Sequence, residues 1–426
     1  MEFITYLQDR MTECLTQSIA AYEGSLEAEG LGQMEQAVRS MAHGLGNAVL
    51  TQWLEAQEEA YAAAERPCPC GQTARYVRRR EGMTITVQGR VYYKRNYYVC
   101  AHCHSGHYPL DERLGIEPGE MSEEVVRLAA LVGVQEAFGT SSDVLARLTQ
   151  LELSPNSIRR ACQRVGEAVV AEEREQWVHS QDLAAQLAHK RQGGEQRLYG
   201  SLDGFHAPIE GGWHEVKAGV WWTVDDQGRA EQVDYYVDTE GAAAFSDLVW
   251  ATGFSRHADQ AEELVFVADA AEWIWRIVEL HFPQAVQIVD WYHAVAYLTP
   301  VAQQVSRDEA EQQRWLDTVK TALWEGRLAK VIQACQQQVR PHLPLEEDPA
   351  QRAVRYYTNH QHRMDYPTYR AHGYHIGSGC VESGCKQLGL GRLKIAGARW
   401  GAQGARLVAK ARAAYLSGRW DQLKVA

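Results

Sequence analysis

The sequence predicts an α/β core interrupted by an all-α insertion, with a helical hairpin, a small β module and paired helices ahead of it. Three observations carry that expectation. Residues 193–300 switch to strand-like alternation and then to alternating helix and strand. Residues 3–64 and 301–371 read as helix, the first rich in Ala, Glu, Gln and Leu without proline, the second rich in Gln. Four of the nine cysteines cluster around one β-hairpin.

At roughly 100–200 residues per domain, 426 residues leave room for two to four domains. With 45% hydrophobic and 23% charged residues, global disorder is excluded. No apolar run reaches the roughly 20 residues that span a bilayer, and the start, MEFITYLQDR, lacks a basic-then-apolar leader. A cytoplasmic protein with no membrane partner is expected. The net charge of −12 argues at first sight against a polyanionic partner. Individual segments argue otherwise.

The break at Gly30-Leu31-Gly32 makes residues 1–65 a helical hairpin, with packing or dimerisation as its role. Composition changes at Arg66-Pro67. In residues 66–112, Cys68-Pro-Cys70-Gly71 and Cys100-Ala-His-Cys103 flank the hairpin TITVQGRVYYKRNYYV. Thiolates on two tight turns can meet at one tetrahedral ion, so Cys68, Cys70, Cys100 and Cys103 are expected to hold a structural Zn²⁺ in a zinc-ribbon-like module. The first pair has one intervening residue where two are usual, and His102, His104 and His107 are possible replacement ligands; free thiols on an ordinary hairpin are the alternative. Between Arg66 and Cys100, eight Lys/Arg face one acid, Glu81, and five tyrosines interleave with them. That mix suits nucleic acid, with Arg78, Arg79, Arg80, Lys94 and Arg95 as contacts. A solvated basic hairpin has the same composition.

Residues 113–192 return to helix. After EEVVRLAALVGVQEAF come SSDVLARLTQL, a turn, and SPNSIRRACQRVGEAVV, where Ser154 and Pro155 make a good helix start. Two short helices and a turn, the second carrying Arg159, Arg160 and Arg164, fit a DNA-reading helix-turn-helix. A plain core helix pair looks the same.

The segment 193–300 holds 18 acids against five bases. EQRLYGSLDGFHAPI reads as a strand ending at Asp203-Gly204, followed by HEVKAGVWWTVDD and AEQVDYYVDT as an antiparallel meander. A helix, GAAAFSDLVWATGF, precedes LVFVADAAEWIWRIVEL, a strand ended by Asp269 and then a helix; AVQIVDWYHAVAYL repeats this with Asp290, and His293 three residues on. Three meandering strands and then helix–strand alternation is the order of an RNase H-like fold. Singly, each Asp reads as a turn former or cap; together, Asp203 and Asp269 on neighbouring strands could hold hard divalent cations. Residues 301–371 form the helical insertion. In residues 372–426, Gly377-Ser378-Gly379 leads into a helix with Glu382 and, one turn on, Lys386, which taken alone could be an ion pair on a helix face.

These motifs together resemble bacterial insertion-sequence transposases with a DDE active site, most like the ISKra4 family and the related ISLre2 group. SLDG at Asp203, VADAAEWIW at Asp269, DWYH at Asp290–His293, GSGCVESGCK at Glu382 and the basic tail RLKIAGARWGAQGARLVAKARAAYLSGRWD carry the resemblance, over about residues 66–422. It implies that Asp203, Asp269 and Glu382 bind two Mg²⁺ (or Mn²⁺) and that the protein cuts the element's DNA ends and joins them to target DNA. It further implies a homodimer or larger assembly at synapsis. Asp290 and His293 match a supporting signature, bracing the site or orienting DNA; a purely structural pair is the alternative. Nine Lys/Arg against two acids in residues 376–426 point to further DNA contacts at Lys386, Arg392, Lys394 and Arg399. An RNase H-like nuclease without strand transfer, and a non-catalytic DNA-binding regulator, are the rivals.

Overall fold

A computed structural model describes residues 2–22, 30–60, 62–117 and 119–425. The chain divides into two compact units, residues 1–168 with 424–426, and residues 169–423. No helix among the described residues is long and apolar enough to cross a membrane.

In the first unit, α1 (Glu2–Tyr22) and α2 (Leu31–Ala60) pack on each other. Helix α2 already includes Leu31 and Gly32, so of the expected Gly-Leu-Gly break only Gly30 stays outside it; residues 23–29 lie outside the described residues. A four-stranded antiparallel sheet follows in the order β1 (Glu65–Pro67), β2 (Thr73–Thr86), β3 (Gly89–Cys100), β4 (Gly106–His107). The β2–β3 hairpin closes at Thr86 and Gly89, whose φ of 87° suits glycine. Alternation along β3 sends Val91, Tyr93 and Arg95 inward and Tyr92 and Lys94 to solvent. Leu54 of α2 packs against Val91 and Tyr93. The short helix α3 (Pro109–Leu114) brings Asp111 beneath, where it accepts from Tyr93 Oη at 2.6 Å and from Arg95.

Helices α4 (Glu123–Gly133), α5 (Phe138–Thr149) and α6 (Pro155–Ser180) follow. Ser154 Oγ accepts from Ser157 N at 3.1 Å, as a helix-start serine should. The second helix of the expected short pair is not short: α6 runs for 26 residues, because nothing between Val170 and Ser180 breaks it.

In the second unit, α7 (Leu183–Gln192) leads into a five-stranded sheet built from β5 (Arg197–Ile209), β6 (Gly212–Val224), β7 (Ala230–Asp238), β8 (Glu263–Ala268) and β9 (Val286–Val289). The spatial order is β7-β6-β5-β8-β9; the first three strands are antiparallel, while β5, β8 and β9 run parallel. Helices α8 (Ala242–Ser255) and α9 (Glu272–His281) connect the later strands. Strand β5 does not end at Asp203-Gly204. It stays paired with β6 as far as Ile209 and turns at Glu210-Gly211, both at positive φ. Its parallel pairing with β8 stops at Gly200 and Phe266, three residues before Asp203 and Asp269 respectively.

After α10 (Trp291–Ala296) the chain forms α11 (Leu298–Val305), α12 (Glu309–Trp324), α13 (Leu328–Gln336), α14 (Pro349–His360) and α15 (Tyr366–Ala371). It returns through α16 (Gly379–Leu388), a π-helical turn (Gly389–Leu393) and α17 (Ala402–Leu416), which packs on β7.

Much of the basic tail faces inward. Arg406 grips Asp238 with Nε 3.0 Å from Oδ1 and Nη2 3.1 Å from Oδ2, Arg419 pairs with Glu172 and Asp234, and Lys410 and Arg412 are buried. Burial would raise the Asp238 carboxyl, but Lys410 and Arg406 hold it below the usual range. A depressed carboxylate contributes stability that is complete above its unfolded pKa of about 4 and is lost as pH falls through the lower folded value. Acid melts should therefore show Tm falling below about pH 4, and Asp238→Asn should flatten that limb while lowering Tm at neutral pH.

Candidate active site

The ends of β8 and β9, a mid-strand position on β5 and one returning helix build the site. Asp203 lies on β5 just past the end of its pairing with β8; its Oδ1 accepts from Gly204 N at 2.7 Å. Burial raises its pKa and the charge of Asp269 adds to that, against hydrogen bonds from Gly204 and the Cys385 thiol of α16. Asp269 follows β8 directly and accepts from Ala271 N at 2.9 Å, opening the turn into α9. Burial raises it too; Asp290 and Glu215 push the same way, while the bond from Ala271 and the charge of His293 oppose.

Asp290 follows β9 and is fully buried as the N-cap of α10. Its Oδ1 accepts from His293 N at 2.7 Å, and its Oδ2 accepts from Ser378 N. Although burial would raise this carboxyl, the hydrogen bonds from His293 and Ser378 hold it below the usual range. Trp291 N donates to Ile376 O at 2.8 Å, so the strand end and the turn before α16 are sewn together. That explains the glycine-rich approach: a Cβ on Gly377 would sit 3.1 Å from the Tyr292 ring. Ser378 Oγ then donates to Glu382 Oε1 at 3.2 Å, and Lys386 Nζ lies 3.8 Å from Glu382 Oε2.

His293 stands among these acids. Its Nδ1 is 3.6 Å from Asp290 Oδ1, and its pKa is raised by that neighbouring carboxylate against burial, with Asp269 and Glu382 adding to the rise. Asp290, His293 and Glu382 each offer a ligand atom within 4.8 Å of the others. Asp203 and Asp269 fall outside that group of three; each feels the charge of His293, and Asp203 that of Asp269. Neighbours missed from the sequence are Ser378, Cys385, and the Glu215–Lys217 pair on β6. The two-residue spacing of Glu215 and Lys217 on a strand was the available signal for that pair; nothing local marks Ser378 or Cys385 as partners of distant aspartates. The donor set is carboxylate oxygen and one imidazole, which suits a hard divalent cation.

A second cluster lies in the other unit. The sulfurs of Cys68, Cys70, Cys100 and Cys103 all fall within 4.8 Å of one another, with Cys68–Cys103 at 3.5 Å and Cys70–Cys100 at 3.7 Å. Tetrahedral Zn–S bonds of about 2.3 Å require sulfurs about 3.8 Å apart, so the four thiols fit zinc despite the short first knuckle. Of the three histidines, His107 brings Nε2 to 3.2 Å from Cys68 Sγ, while His102 and His104 are exposed.

The expected DNA contacts divide by burial. Arg78, Arg79, Lys94, Arg160, Lys386 and Arg399 are exposed; Arg80, Arg159 and Lys394 are half-buried. Arg95 and Arg392 are corrected: both are buried, Arg95 on Asp111 and Arg392 over the Trp400 ring, and cannot reach a phosphate. Arg80 lies over Tyr97, and Arg159 is held by Asn156 and Gln163.

The chain belongs to the uncharacterised protein family UPF0236, whose sequence profile matches residues 30–425. No curated protein matches it.

Proposed function

We propose that the protein is a DDE transposase of an insertion sequence, of the ISKra4 type, binding the element's DNA ends and catalysing strand cleavage and strand transfer in the bacterial cytoplasm. The observation that carries this is that Asp203, Asp269 and Glu382 each interact electrostatically with His293, on a sheet ordered β7-β6-β5-β8-β9. That order, three antiparallel strands and then parallel ones, supports an RNase H-like core. Asp203, Asp269 and Glu382 would hold two Mg²⁺ or Mn²⁺, which when bound activate a water or DNA 3′-hydroxyl and stabilise the leaving oxygen. Asp290 then acts as a brace: both its oxygens are engaged in holding α10 to the turn that presents Glu382. The helical segment between His293 and Glu382 corresponds to the insertion domain of such enzymes.

The test incubates purified protein with Mg²⁺, labelled DNA fragments from both flanks of its coding region, and a supercoiled plasmid. Joined end–plasmid products are expected. Cleavage without joining would favour the nuclease reading, and binding without cleavage the regulator.

For the β module we propose a structural Zn²⁺ on Cys68, Cys70, Cys100 and Cys103, closed to chemistry because all four positions are filled by protein. Elemental analysis should find stoichiometric zinc. Cys100→Ser, at a fully buried ligand, should abolish it and expose the module to proteolysis. Zinc retained in that variant would exclude this ligand set.

A further inference from the structure

We infer that the cavity beside the carboxylates receives one unstacked nucleotide of the DNA strand being processed, stacked on Tyr297 and held by Arg352 and Arg355. This rests on the DNA strand-transfer reading above and names the form of substrate that the same site takes.

The cavity measures about 730 Å³ and is continuous with the site, since Asp269 and His293 line its wall. A volume of that size belongs to small-molecule and cofactor pockets and accommodates a nucleotide. Its floor is aromatic. Tyr297 and Tyr356 stack with ring centroids 3.8 Å apart and planes 17° from parallel. Tyr356 is the buried member, 7% exposed, and backs Tyr297, which is 39% exposed. The outer ring is thus held in place before any ligand arrives, and every nucleobase offers a π-face to it. Tyr297 follows His293 by four residues as the C-cap of α10, in helical backbone conformation, so the platform stands about one turn from the site.

The polar groups fit the rest of a nucleotide. Arg352, Arg355 and Asn359 recur at helical spacing along α14, all exposed, and neither arginine has an ion-pair partner among the described residues. Glu346 and Asp269 are the acids that line it. Two unpaired guanidinium groups beside an aromatic platform suit a phosphate chain, and Asn359 can read a base edge. Buried within the wall, the Tyr356 hydroxyl has no hydrogen-bond partner, an unusual state for a buried polar group. Burial raises its pKa, so it stays a donor. Beside it His360 is lowered to about 4 by burial and by Arg363. Arg363 faces His360 Nδ1 at 3.3 Å and can only donate, so the ring's proton sits on Nε2, a second neutral donor. Neutral donors with an aromatic floor and flanking cations are what an extrahelical base with its phosphate requires.

Fluorescence anisotropy in Ca²⁺ tests this with two probes: a blunt duplex, and the same duplex carrying a single unpaired thymidine at one 3′ end. Wild type should prefer the overhang by roughly tenfold, the scale of one base–aromatic stack. Tyr297→Ala should bring the ratio of the two affinities close to one. Tyr297→Phe, which keeps the ring, should preserve it, and Tyr356→Phe should lower it in part. A fluorescent adenine analogue in place of the thymidine should be quenched on binding wild type, which reports stacking without any variant. Equal affinity of wild type for both probes, or a ratio unmoved by Tyr297→Ala, overturns the pocket while leaving the DNA reading intact. Binding to neither duplex overturns the DNA reading and the pocket with it.

Discussion

On the proposed strand-transfer reading, Asp203→Asn is expected to lower the rate of Mg²⁺-dependent strand cleavage by roughly 10³-fold, the loss of several kcal/mol of metal-borne charge stabilisation, while DNA binding persists. The same change should leave Tm unchanged or raise it. Burial makes the ionised Asp203 unfavourable in the folded state, and Asp269 adds repulsion, so a neutral isostere relieves both. Activity that falls as stability holds or rises is the mark of a group kept for chemistry. Asp290→Asn should behave in the opposite sense. Its carboxylate is stabilised in the folded state by the bonds from His293 and Ser378, so an amide there places an NH₂ against a backbone donor and lowers Tm. Measured together, rates and melting curves of the two variants test the proposed division between a metal-holding carboxylate and a bracing one. Cleavage retained in Asp203→Asn would remove Asp203 from the catalytic group.

The contrast between these two aspartates also shows what could be read in the chain alone. Asp269 and Asp290 were legible as strand-end acids because each closes a short apolar run and opens a helix, a pattern of local signals. Asp203 was legible as an acid on a strand, yet its strand end was misplaced. Asp-Gly is a turn signal, and here full-length pairing with β6 overrides it as far as Glu210-Gly211. The depth of a charge was least legible. Counting basic residues gives the sign of a segment, but Arg95, Arg392, Lys410 and Arg412 are buried. For Arg95 the inward alternation of Val91 and Tyr93 was a usable warning; for Arg392 nothing local separates it from the half-buried Lys394. Contacts such as Ser378 with Asp290, or Cys385 with Asp203, join segments far apart in sequence, and no periodicity encodes them.

Lys410→Met should cost about 3–5 kcal/mol, the usual penalty for removing one partner of a buried charge cluster. Lys410 is 1% exposed and spends its ammonium on three acceptors: Glu173 Oε2 at 2.6 Å, Asp238 Oδ2 at 2.9 Å and Val237 O at 2.9 Å. Methionine fills the volume and leaves Glu173 and Asp238 as neighbouring buried acids. Asp238 keeps the two-pronged grip of Arg406, so Glu173 is the group left most exposed to the loss. Thermal melting should show Tm lower by on the order of 10 °C. Adding Glu173→Gln should then recover part of that loss, because a neutral amide no longer needs a buried cation. Losses that simply add would mean that the two side chains do not depend on each other. The consequence reaches the site through α17, which packs on β7 and against α16, the helix that carries Glu382. A loosened α17 removes the support behind that carboxylate, so on the proposed reading Lys410→Met should slow cleavage even where the protein is still folded, and Glu173→Gln should restore rate and Tm together.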